Sequence, residues 1–332
     1  ATWYIAGAYR RIGSACVFKR NVNGDWTKEK ELNGCYSNYK GTYCSYGQAV
    51  AIGVKDSNRE FVVIKSGYAG CTSGRCSGIE NVPEIQSFVS SGTSVQWNAK
   101  QSIVLDDWLS STMNCGYQCS QKYELKTFKN ILLNDFATAS KYYMVVHVSH
   151  PFHEPSYNNG YLAQDMKEEI RLYSNAAPGT DTSEWVLETL WYIHCLNQDI
   201  NLALTFSGPD ILVAGYGPGE KTPWPGSADT SDYSLSECAE VKVYDLNTQK
   251  QIQAISLPLC IRSTIKLQAN KDYLVVGDVS NNAAYVYEHS KDDAGAFVLV
   301  DTLKLPNPYS VNFGRNVAIN TNNDILVYAS EE

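Results

Sequence analysis

The chain has 332 residues, a formal net charge of -8, 44% apolar residues, and 23 tyrosines against 9 phenylalanines. The negative charge and the lack of any Lys/Arg cluster exclude a basic surface that could neutralise phosphates, so we expect no nucleic-acid partner. No stretch approaches the roughly 18 apolar residues of a membrane-spanning helix, so we expect no direct membrane insertion.

Short strands separated by polar turns are predicted from the N-terminus onwards. The first stretches rich in apolar residues lie at 3–6, 15–18 and 26–32. Further along, one pattern recurs: a polar turn, usually with an acidic residue, precedes four mostly aliphatic residues and a small one. Its copies lie at 58–67, 141–147, 210–215, 272–277 and 324–329. A recurring pattern of strand length predicts a repeat architecture.

Other apolar stretches extend this pattern into a unit of four short strands. They precede or follow the copies at 49–52, 201–205, 241–244, 284–287, 297–303 and 316–319. Four short strands with tight turns, repeated along the chain, are typical of a propeller blade. No long stretch keeps the 3.6-residue apolar period of a helix, so we predict an all-β chain.

The repeats predict a single β-propeller domain spanning residues 1–332. Counting them gives about five four-stranded blades. Six or seven blades remain alternatives, because long segments between the copies have room for further strands. The N- and C-terminal strands complete each other, so we expect them to share one blade. Such sharing closes the ring and leaves no sheet edge exposed.

Two segments carry a resemblance to a known repeat family. Phe313 and Gly314 precede Arg-Asn-Val-Ala-Ile and then Asp-Ile-Leu-Val at 324–327, and Tyr46 and Gly47 precede Gln-Ala-Val-Ala-Ile. These segments resemble FG-GAP repeats, the units of the integrin α-subunit propeller. The resemblance implies an extracellular propeller that binds its partners through loops.

The resemblance also implies calcium sites in the turns between the first two strands of a blade. Three turns place oxygen-bearing side chains at alternate positions, as Ca²⁺ requires. All three lack the final acidic residue, so we expect no cofactor, with calcium as the alternative to simple polar turns. The residues are Asp56, Asn58 and Glu60; Gln268, Asn270 and Asp272; and Asn320, Asn322 and Asp324.

The ten cysteines bear on the compartment of the protein. Close pairs in loop-like sequence predict disulfides, with zinc as an alternative whose usual spacing these pairs lack. Disulfides in turn predict a secreted or cell-surface protein. The predicted pairs are Cys35 with Cys44, Cys71 with Cys76, and Cys115 with Cys119; the pairing of Cys16, Cys195, Cys238 and Cys260 stays open.

A polar cluster at 147–154 is the candidate for site chemistry. His147, His150 and His153 predict a zinc or copper site if the loop folds back, the alternative being hydrogen-bonding roles. A glycosidase needs paired carboxylates, but no pattern here assembles such a pair, so we expect that the chain is not an enzyme. The available carboxylates are Asp106, Asp107, Asp165, Glu168 and Glu169.

Aromatic residues in loop-like sequence predict the binding surface. Trp224 lies in a Pro/Gly-rich insertion that begins at Tyr216, and Tyr157 and Tyr161 flank Asn-Asn-Gly. Such side chains present flat faces to sugars or proteins. We therefore expect a non-catalytic recognition module for a glycan or an extracellular protein. The first alternative is a structural subunit of an extracellular filament or coat that contacts copies of itself; the second is a glycan-acting hydrolase.

Overall fold

The chain is described by a computed structural model over the greater part of its length. The described residues are 3–8, 14–33, 35–36, 43–55, 58–66, 83–90, 96–105, 127–135, 137–150, 165–196, 200–218, 239–259, 265–290, 296–305 and 312–329. In these segments all the regular secondary structure is β-strand. In the same segments no helix is long and apolar enough to cross a membrane.

The strands follow the apolar stretches of the sequence. Those of residues 1–196 are β1 (Trp3–Ala8), β2 (Ser14–Arg20), β3 (Trp26–Asn33), β4 (Cys35–Tyr36), β5 (Tyr43–Lys55), β6 (Asn58–Ser66), β7 (Glu84–Ser90), β8 (Asn98–Val104), β9 (Thr127–Leu133), β10 (Tyr142–His150), β11 (Asp165–Asn175) and β12 (Val186–Leu196). The remaining strands are β13 (Ile200–Ser207), β14 (Ile211–Pro218), β15 (Glu240–Asp245), β16 (Lys250–Ile255), β17 (Ile265–Ala269), β18 (Tyr273–Asp278), β19 (Ala283–His289), β20 (Phe297–Lys304), β21 (Asn316–Ile319) and β22 (Ile325–Tyr328).

Consecutive strands pair to form antiparallel sheets. Three sheets have four strands, in the orders β12-β11-β10-β9, β13-β14-β15-β16 and β17-β18-β19-β20. The sheet β4-β5-β6-β7-β8 adds the two-residue β4 to four longer strands, and β1-β2-β3 and β21-β22 form smaller sheets. The predicted all-β class and the four-stranded repeat are therefore confirmed.

The recurring sequence pattern marks the second strand of each group of four from β5 to β20, and it also marks the second strand of the β21–β22 pair. Its copies fall on β6, β10, β14, β18 and β22. In the first four of these, the aliphatic residues lie at the centre of a sheet and are fully buried, as Val62, Val145, Val213 and Val275 illustrate. A strand buried on both faces needs apolar residues without alternation, which explains why this strand was the easiest to find in the sequence.

A β-bulge recurs at the same place in five sheets. In each, the register between the last two strands shifts immediately before an aromatic residue. The extra residue of a bulge bends its strand and increases the local twist. The aromatic residues are Phe18, Phe88, Tyr173, Tyr244 and Tyr287. The recurrence indicates five structural repeats, the number expected from the sequence.

The chain divides into two compact units, Ala1–Leu196 and Asn197–Glu332. The first unit has one apolar cluster around Val62, Met144 and Trp185 and another around Phe61 and Trp97. The second has a cluster that joins β15, β17, β18 and β19. In both units, apolar faces of successive sheets supply the core.

Phe313 and Gly314, the residues of the FG resemblance, fasten β21 to the β17–β20 sheet. Phe313 is buried beside Val275 and Ala284, and its backbone N–H donates to Asn282 Oδ1 at 3.2 Å. Gly314 has a φ of +89°. A Cβ on Gly277 would lie 2.1 Å from the Gly314 carbonyl oxygen, so the two backbones approach too closely for any side chain there.

The expected sharing of one blade by the two chain termini is not found. In the described residues β1, β2 and β3 pair with one another, and β21 pairs with β22. No register joins these two groups of strands in that part of the chain. The four-stranded repeat is therefore confirmed, whereas the predicted closed ring is not found among the described strands.

Candidate active site

Strands β10 and β11 bring three polar side chains together on one face of their sheet. Their register places Ser149 opposite Glu168 and His147 opposite Ile170. Because side chains alternate along a strand, His147 and Ser149 share a face and Glu168 lies across from them. The register between β10 and β9 shifts immediately after His147. Bulges of this kind re-aim side chains and are common beside active sites.

The three side chains form one buried group, termed here the His–Glu–Ser cluster. Nε2 of His147 lies 2.5 Å from Oε2 of Glu168, and the Ser149 hydroxyl donates to Oε1 of Glu168 at 2.9 Å. The exposed fractions of His147, Ser149 and Glu168 are 7%, 6% and 3%. A buried carboxylate is costly unless its oxygens are paired, and here each oxygen has a donor.

This arrangement suits proton transfer. A carboxylate oxygen accepts hydrogen bonds, so the Nε2 contact places the imidazole proton on Nε2 and leaves the lone pair of a neutral ring on Nδ1. The carboxylate then fixes the tautomer and stabilises the imidazolium that forms when Nδ1 takes a proton. The His–Glu–Ser cluster therefore holds an imidazole in the orientation that a general base requires.

The adjacent carboxylate, Glu169, does not join the cluster. It follows Glu168 in the strand and so points to the opposite face of the sheet. Its Oε2 accepts from Nε and Nη2 of Arg171 at 2.8 Å and 2.7 Å, and the bond to Glu169 holds the pKa of that guanidinium above its ordinary value despite burial. Glu169 is thus committed to an ion pair, and in the described chain the site contains one carboxylate and one imidazole.

The predicted histidine site is only partly described. His147 lies in β10 and contacts Glu168, whereas His150, at the end of the strand, lies opposite Lys167. His153 lies outside the described residues. Over the described part of the chain, no three His, Cys, Asp or Glu side chains are placed to hold a metal ion. A shared zinc or copper site stays a prediction.

The predicted aromatic binding loops fall mostly outside the described residues, as Tyr157, Tyr161 and Trp224 do. Tyr216 lies in β14, and its hydroxyl donates to Glu240 of β15. The ammonium of Lys242 lies 4.8 Å from the centre of the Tyr216 ring. Tyr216 therefore packs along its own sheet.

Two of the predicted calcium turns are polar turns closed by their own side chains. Oδ1 of Asn270 accepts from the backbone N–H groups of Asp272 and Tyr273, and Oδ1 of Asn320 accepts from those of Asn322 and Asp324. These are the bonds of Asx turns, which shape a hairpin without an ion.

In the third predicted calcium turn, Glu60 points into the protein and Asp56 lies outside the described residues. Glu60 is fully buried and accepts hydrogen bonds from the indole of Trp185, the hydroxyl of Ser183 and the backbone N–H of Gly179. Burial raises its pKa, although these donors oppose the rise. The carboxylate that sequence reasoning assigned to a turn is an internal anchor for the segment before β12.

Of the three predicted disulfide pairs, the structure describes one, and for that pair it describes the backbone. Cys35 and Cys44 are directly opposed in the β4–β5 register. The pairs Cys71 with Cys76 and Cys115 with Cys119 lie outside the described residues. Cys16, whose pairing the sequence left open, is a free thiol whose pKa is raised, chiefly by burial.

Comparison with known proteins gives similarities of structure. No family model and no curated protein sequence matches the chain. Similar solved structures include the complex of KlAtg21 with the coiled coil of AgAtg16, at 10% identity over 97% of this chain and 75% of that chain, with a TM-score of 0.48. Another is the periplasmic gluconolactonase of Pseudomonas aeruginosa, at 7% identity over 99% and 85% of the two chains, with a TM-score of 0.36. A Bacteroides fragilis protein assigned as a 6-phosphogluconolactonase matches at 10% identity over 91% and 95%, with a TM-score of 0.29.

One expectation from the sequence, that the chain is not an enzyme, is corrected. Two of these similar structures are lactonases by title, and lactonases are enzymes. Within this chain, His147 and Glu168 form a buried hydrogen-bonded pair that the expectation did not include. Sequence reasoning had noted both residues, but it assigned His147 to a possible metal site and could not pair it with Glu168 because the strand register was unknown.

Proposed function

We propose that the chain is a hydrolase that cleaves an ester or lactone bond in a carbohydrate substrate. The observation that carries the proposal is the buried contact of 2.5 Å between Nε2 of His147 and Oε2 of Glu168. In this assignment His147 is the general base, and Glu168 and Ser149 are positioning residues.

The chemistry requires one proton to move twice. Nδ1 of His147 takes a proton from water while the water oxygen forms a bond to the carbonyl carbon of the substrate. The tetrahedral intermediate then collapses, the bond from carbon to the leaving oxygen breaks, and the imidazolium returns its proton to that oxygen. Glu168 stabilises the transient imidazolium, as the carboxylate of a catalytic triad does. The products are an acid and an alcohol from an ester, and a single hydroxy acid from a lactone.

The donor set favours a carbonyl substrate over a glycosidic bond. Glycosidases use two carboxyl groups on either side of the scissile bond. Here Glu169 faces away from Glu168 and is paired with Arg171. One oriented imidazole instead suits attack of water on an electrophilic carbonyl carbon, so we take an ester or lactone as the substrate bond.

Hydrolysis assays with the purified chain test this function. The substrates are D-glucono-1,5-lactone, p-nitrophenyl acetate and a peracetylated disaccharide, and the variants are His147→Gln and Glu168→Gln. We expect each variant to lose about 10²–10⁴-fold in kcat/KM on the substrate that the wild type cleaves. Glu188→Gln, an exposed change of the same chemistry in β12, should keep wild-type activity.

Two outcomes would overturn the proposal. One is that the wild type hydrolyses none of the three substrates. The other is that His147→Gln retains full activity while its thermal unfolding matches that of the wild type.

The fold and the compartment are proposed on separate grounds. Five repeats with a bulge at the same position support a propeller, and the buried Phe313 before Gly314 supports one of the FG-GAP kind. The direct opposition of Cys35 and Cys44 supports a cross-strand disulfide, and with it a secreted or cell-surface location. Peptide mass spectrometry of the unreduced protein tests the disulfide, because a free Cys35 thiol after purification from an oxidising compartment would contradict it.

A further inference from the structure

A further polar side chain lies beside the His–Glu–Ser cluster, on strand β9. Asn130 of β9 is the direct cross-strand partner of His147 of β10. Directly opposed residues share a face of the sheet, with Cβ atoms about 4.5–5.5 Å apart. The register shifts immediately after this pair, so that Lys129 is the extra residue between Phe128 and Asn130. Without the bulge Lys129 would lie opposite the imidazole, and with it the neutral carboxamide of Asn130 does.

The carboxamide of Asn130 is oriented by its oxygen. Oδ1 accepts a hydrogen bond from the backbone N–H of Ile131 at 2.8 Å. A backbone N–H can bond to the oxygen of a carboxamide but not to its NH₂ group, so this contact settles which end is which. Within the described residues the side chain makes no other hydrogen bond, and the donors on Nδ2 are therefore available.

Nδ2 of Asn130 and Nδ1 of His147 are both open to a small molecule. In the described part of the chain, neither nitrogen has a hydrogen-bond partner, and neither is among the polar atoms that are enclosed without one. An atom that lacks a partner and is not enclosed is in contact with water. A substrate that replaces this water can therefore meet the imidazole and the carboxamide together.

Hydrolysis of an ester or lactone needs a hydrogen-bond donor that the His–Glu–Ser cluster does not supply. When the water oxygen bonds to the carbonyl carbon, the π electrons of the carbonyl move to its oxygen, and donors must stabilise that negative charge. The Ser149 hydroxyl donates to Glu168, and the guanidinium of Arg171 is paired with Glu169. The cluster thus offers a base but no donor for the developing oxyanion.

We propose that Nδ2 of Asn130 donates to the substrate carbonyl oxygen and stabilises the oxyanion, which makes Asn130 a catalytic residue. This assignment rests on the proposed function. When the tetrahedral intermediate collapses, the electron pair returns to the carbonyl, the bond to the leaving oxygen breaks, and Asn130 is unchanged. The bulge in β9 thereby acquires a purpose, since it sets a neutral donor rather than a lysine beside the base.

Steady-state kinetics on the full chain test the assignment, with whichever of the three substrates above the wild type cleaves. The variants are Asn130→Ala and Asn130→Asp; the second keeps an acceptor for the Ile131 N–H but loses the NH₂ donor. We expect kcat to fall about 10²–10³-fold in each, with KM nearly unchanged, because the charge on oxygen develops only in the transition state. Asn98→Ala, an exposed change in β8, should keep wild-type kinetics.

The pH dependence of kcat/KM separates an oxyanion donor from a residue that positions the imidazole. Loss of an oxyanion donor lowers the rate equally at every pH, so we expect Asn130→Ala to keep the midpoint of the wild-type profile. A shifted midpoint would make Asn130 a partner of His147 and overturn the assignment.

Separate outcomes distinguish this proposal from that of hydrolysis. If His147→Gln is inactive while Asn130→Ala and Asn130→Asp keep the wild-type kcat, the role of Asn130 is wrong and the proposed function stands. If the wild type cleaves none of the substrates, both are wrong. Thermal unfolding of each variant is measured alongside, and Asn130→Asp carries the test if Asn130→Ala does not fold.

Discussion

The two units bury polar groups in very different numbers. Of fourteen buried polar or charged side chains in the described residues, eleven lie in Ala1–Leu196 and three in Asn197–Glu332. The first unit buries Arg59, Glu60, Glu168 and Glu169, whereas the charged member of the second group is Asp278. Two stretches built from the same strand repeat have therefore reached stability in different ways.

The difference indicates which side chains the stability of the first unit depends on. A buried charge loses its hydration and is tolerated only when partners replace that hydration. Nη1 of Arg59 accordingly lies 3.3 Å from Glu29, and its guanidinium carbon lies 5.3 Å from the Trp97 ring centre. In the second unit, Asp278 accepts from Ser280, Asn281 and Tyr285, all neutral donors close in sequence. Arg59 and Glu60 of the first unit thus depend on partners distant in sequence, whereas Asp278 of the second unit depends on local ones.

The largest effect on stability is expected for Glu60→Gln. The amide oxygen can replace only one carboxylate oxygen, so if it accepts from the Trp185 indole at 2.5 Å, the NH₂ group faces the backbone N–H of Gly179. We expect the free energy of unfolding to fall by roughly 2–4 kcal/mol, measured by urea denaturation. Glu184→Gln, exposed in the segment before β12, should be neutral. A loss of less than about 1 kcal/mol for Glu60→Gln would contradict the inference that the stability of the first unit depends on the partners of its buried charges.

A somewhat smaller effect is expected in the second unit for Gly277→Ala. The added Cβ would meet the Gly314 carbonyl oxygen at 2.1 Å, so β18 and the Phe313–Gly314 segment must separate. We expect a loss of about 1–3 kcal/mol, the usual cost of overpacking. Gly208→Ala is the control, because a Cβ there meets nothing within 4 Å and the cost is limited to the strain of its φ of +71°. Equal effects of the two changes would show that the close approach is unimportant.

The smallest expected effect is a pH dependence from a partly buried carboxylate of the first unit. Glu84 accepts from Lys65, Ser102 and Gln86, and these bonds hold its pKa below the ordinary value of 4.5. A lowered pKa in the folded state means that its contribution is fully present above pH 4.5 and is lost as the pH falls through the lowered value. In Glu84→Gln, the acid-side decline in thermal midpoint should be shallower than in the wild type.

Glu60 should give the opposite pH dependence of stability, and the same thermal-midpoint measurements can detect it. Its raised pKa means that the folded state favours the protonated form, so its contribution improves as the pH falls toward 4.5. The two carboxylates therefore affect separate pH windows, above 4.5 for Glu60 and below it for Glu84. Glu60→Gln should leave the slope below that pH unchanged, and a change confined to that region would contradict the assignment.

The sequence by itself determined the strands and their repetition. The pattern that marks β6, β10, β14 and β18 is a run of aliphatic residues, and such a run is visible without any knowledge of partners because full burial demands it. Phe313 and Gly314 were also identified from the sequence, because a repeat motif can be recognised without long-range information. The recurring bulges were not foreseen, because one extra residue changes no apolar pattern.

Only the tertiary structure decided which polar residues meet. Glu60 was assigned to a turn and Trp185 to no site, yet they share a hydrogen bond across 125 positions of sequence. His147 and Glu168 became an acid–base pair only when the register of β10 and β11 placed them on one face. The physical reason is that hydrophobic burial is written locally in residue type, whereas a hydrogen bond depends on two positions and an orientation that the fold alone supplies.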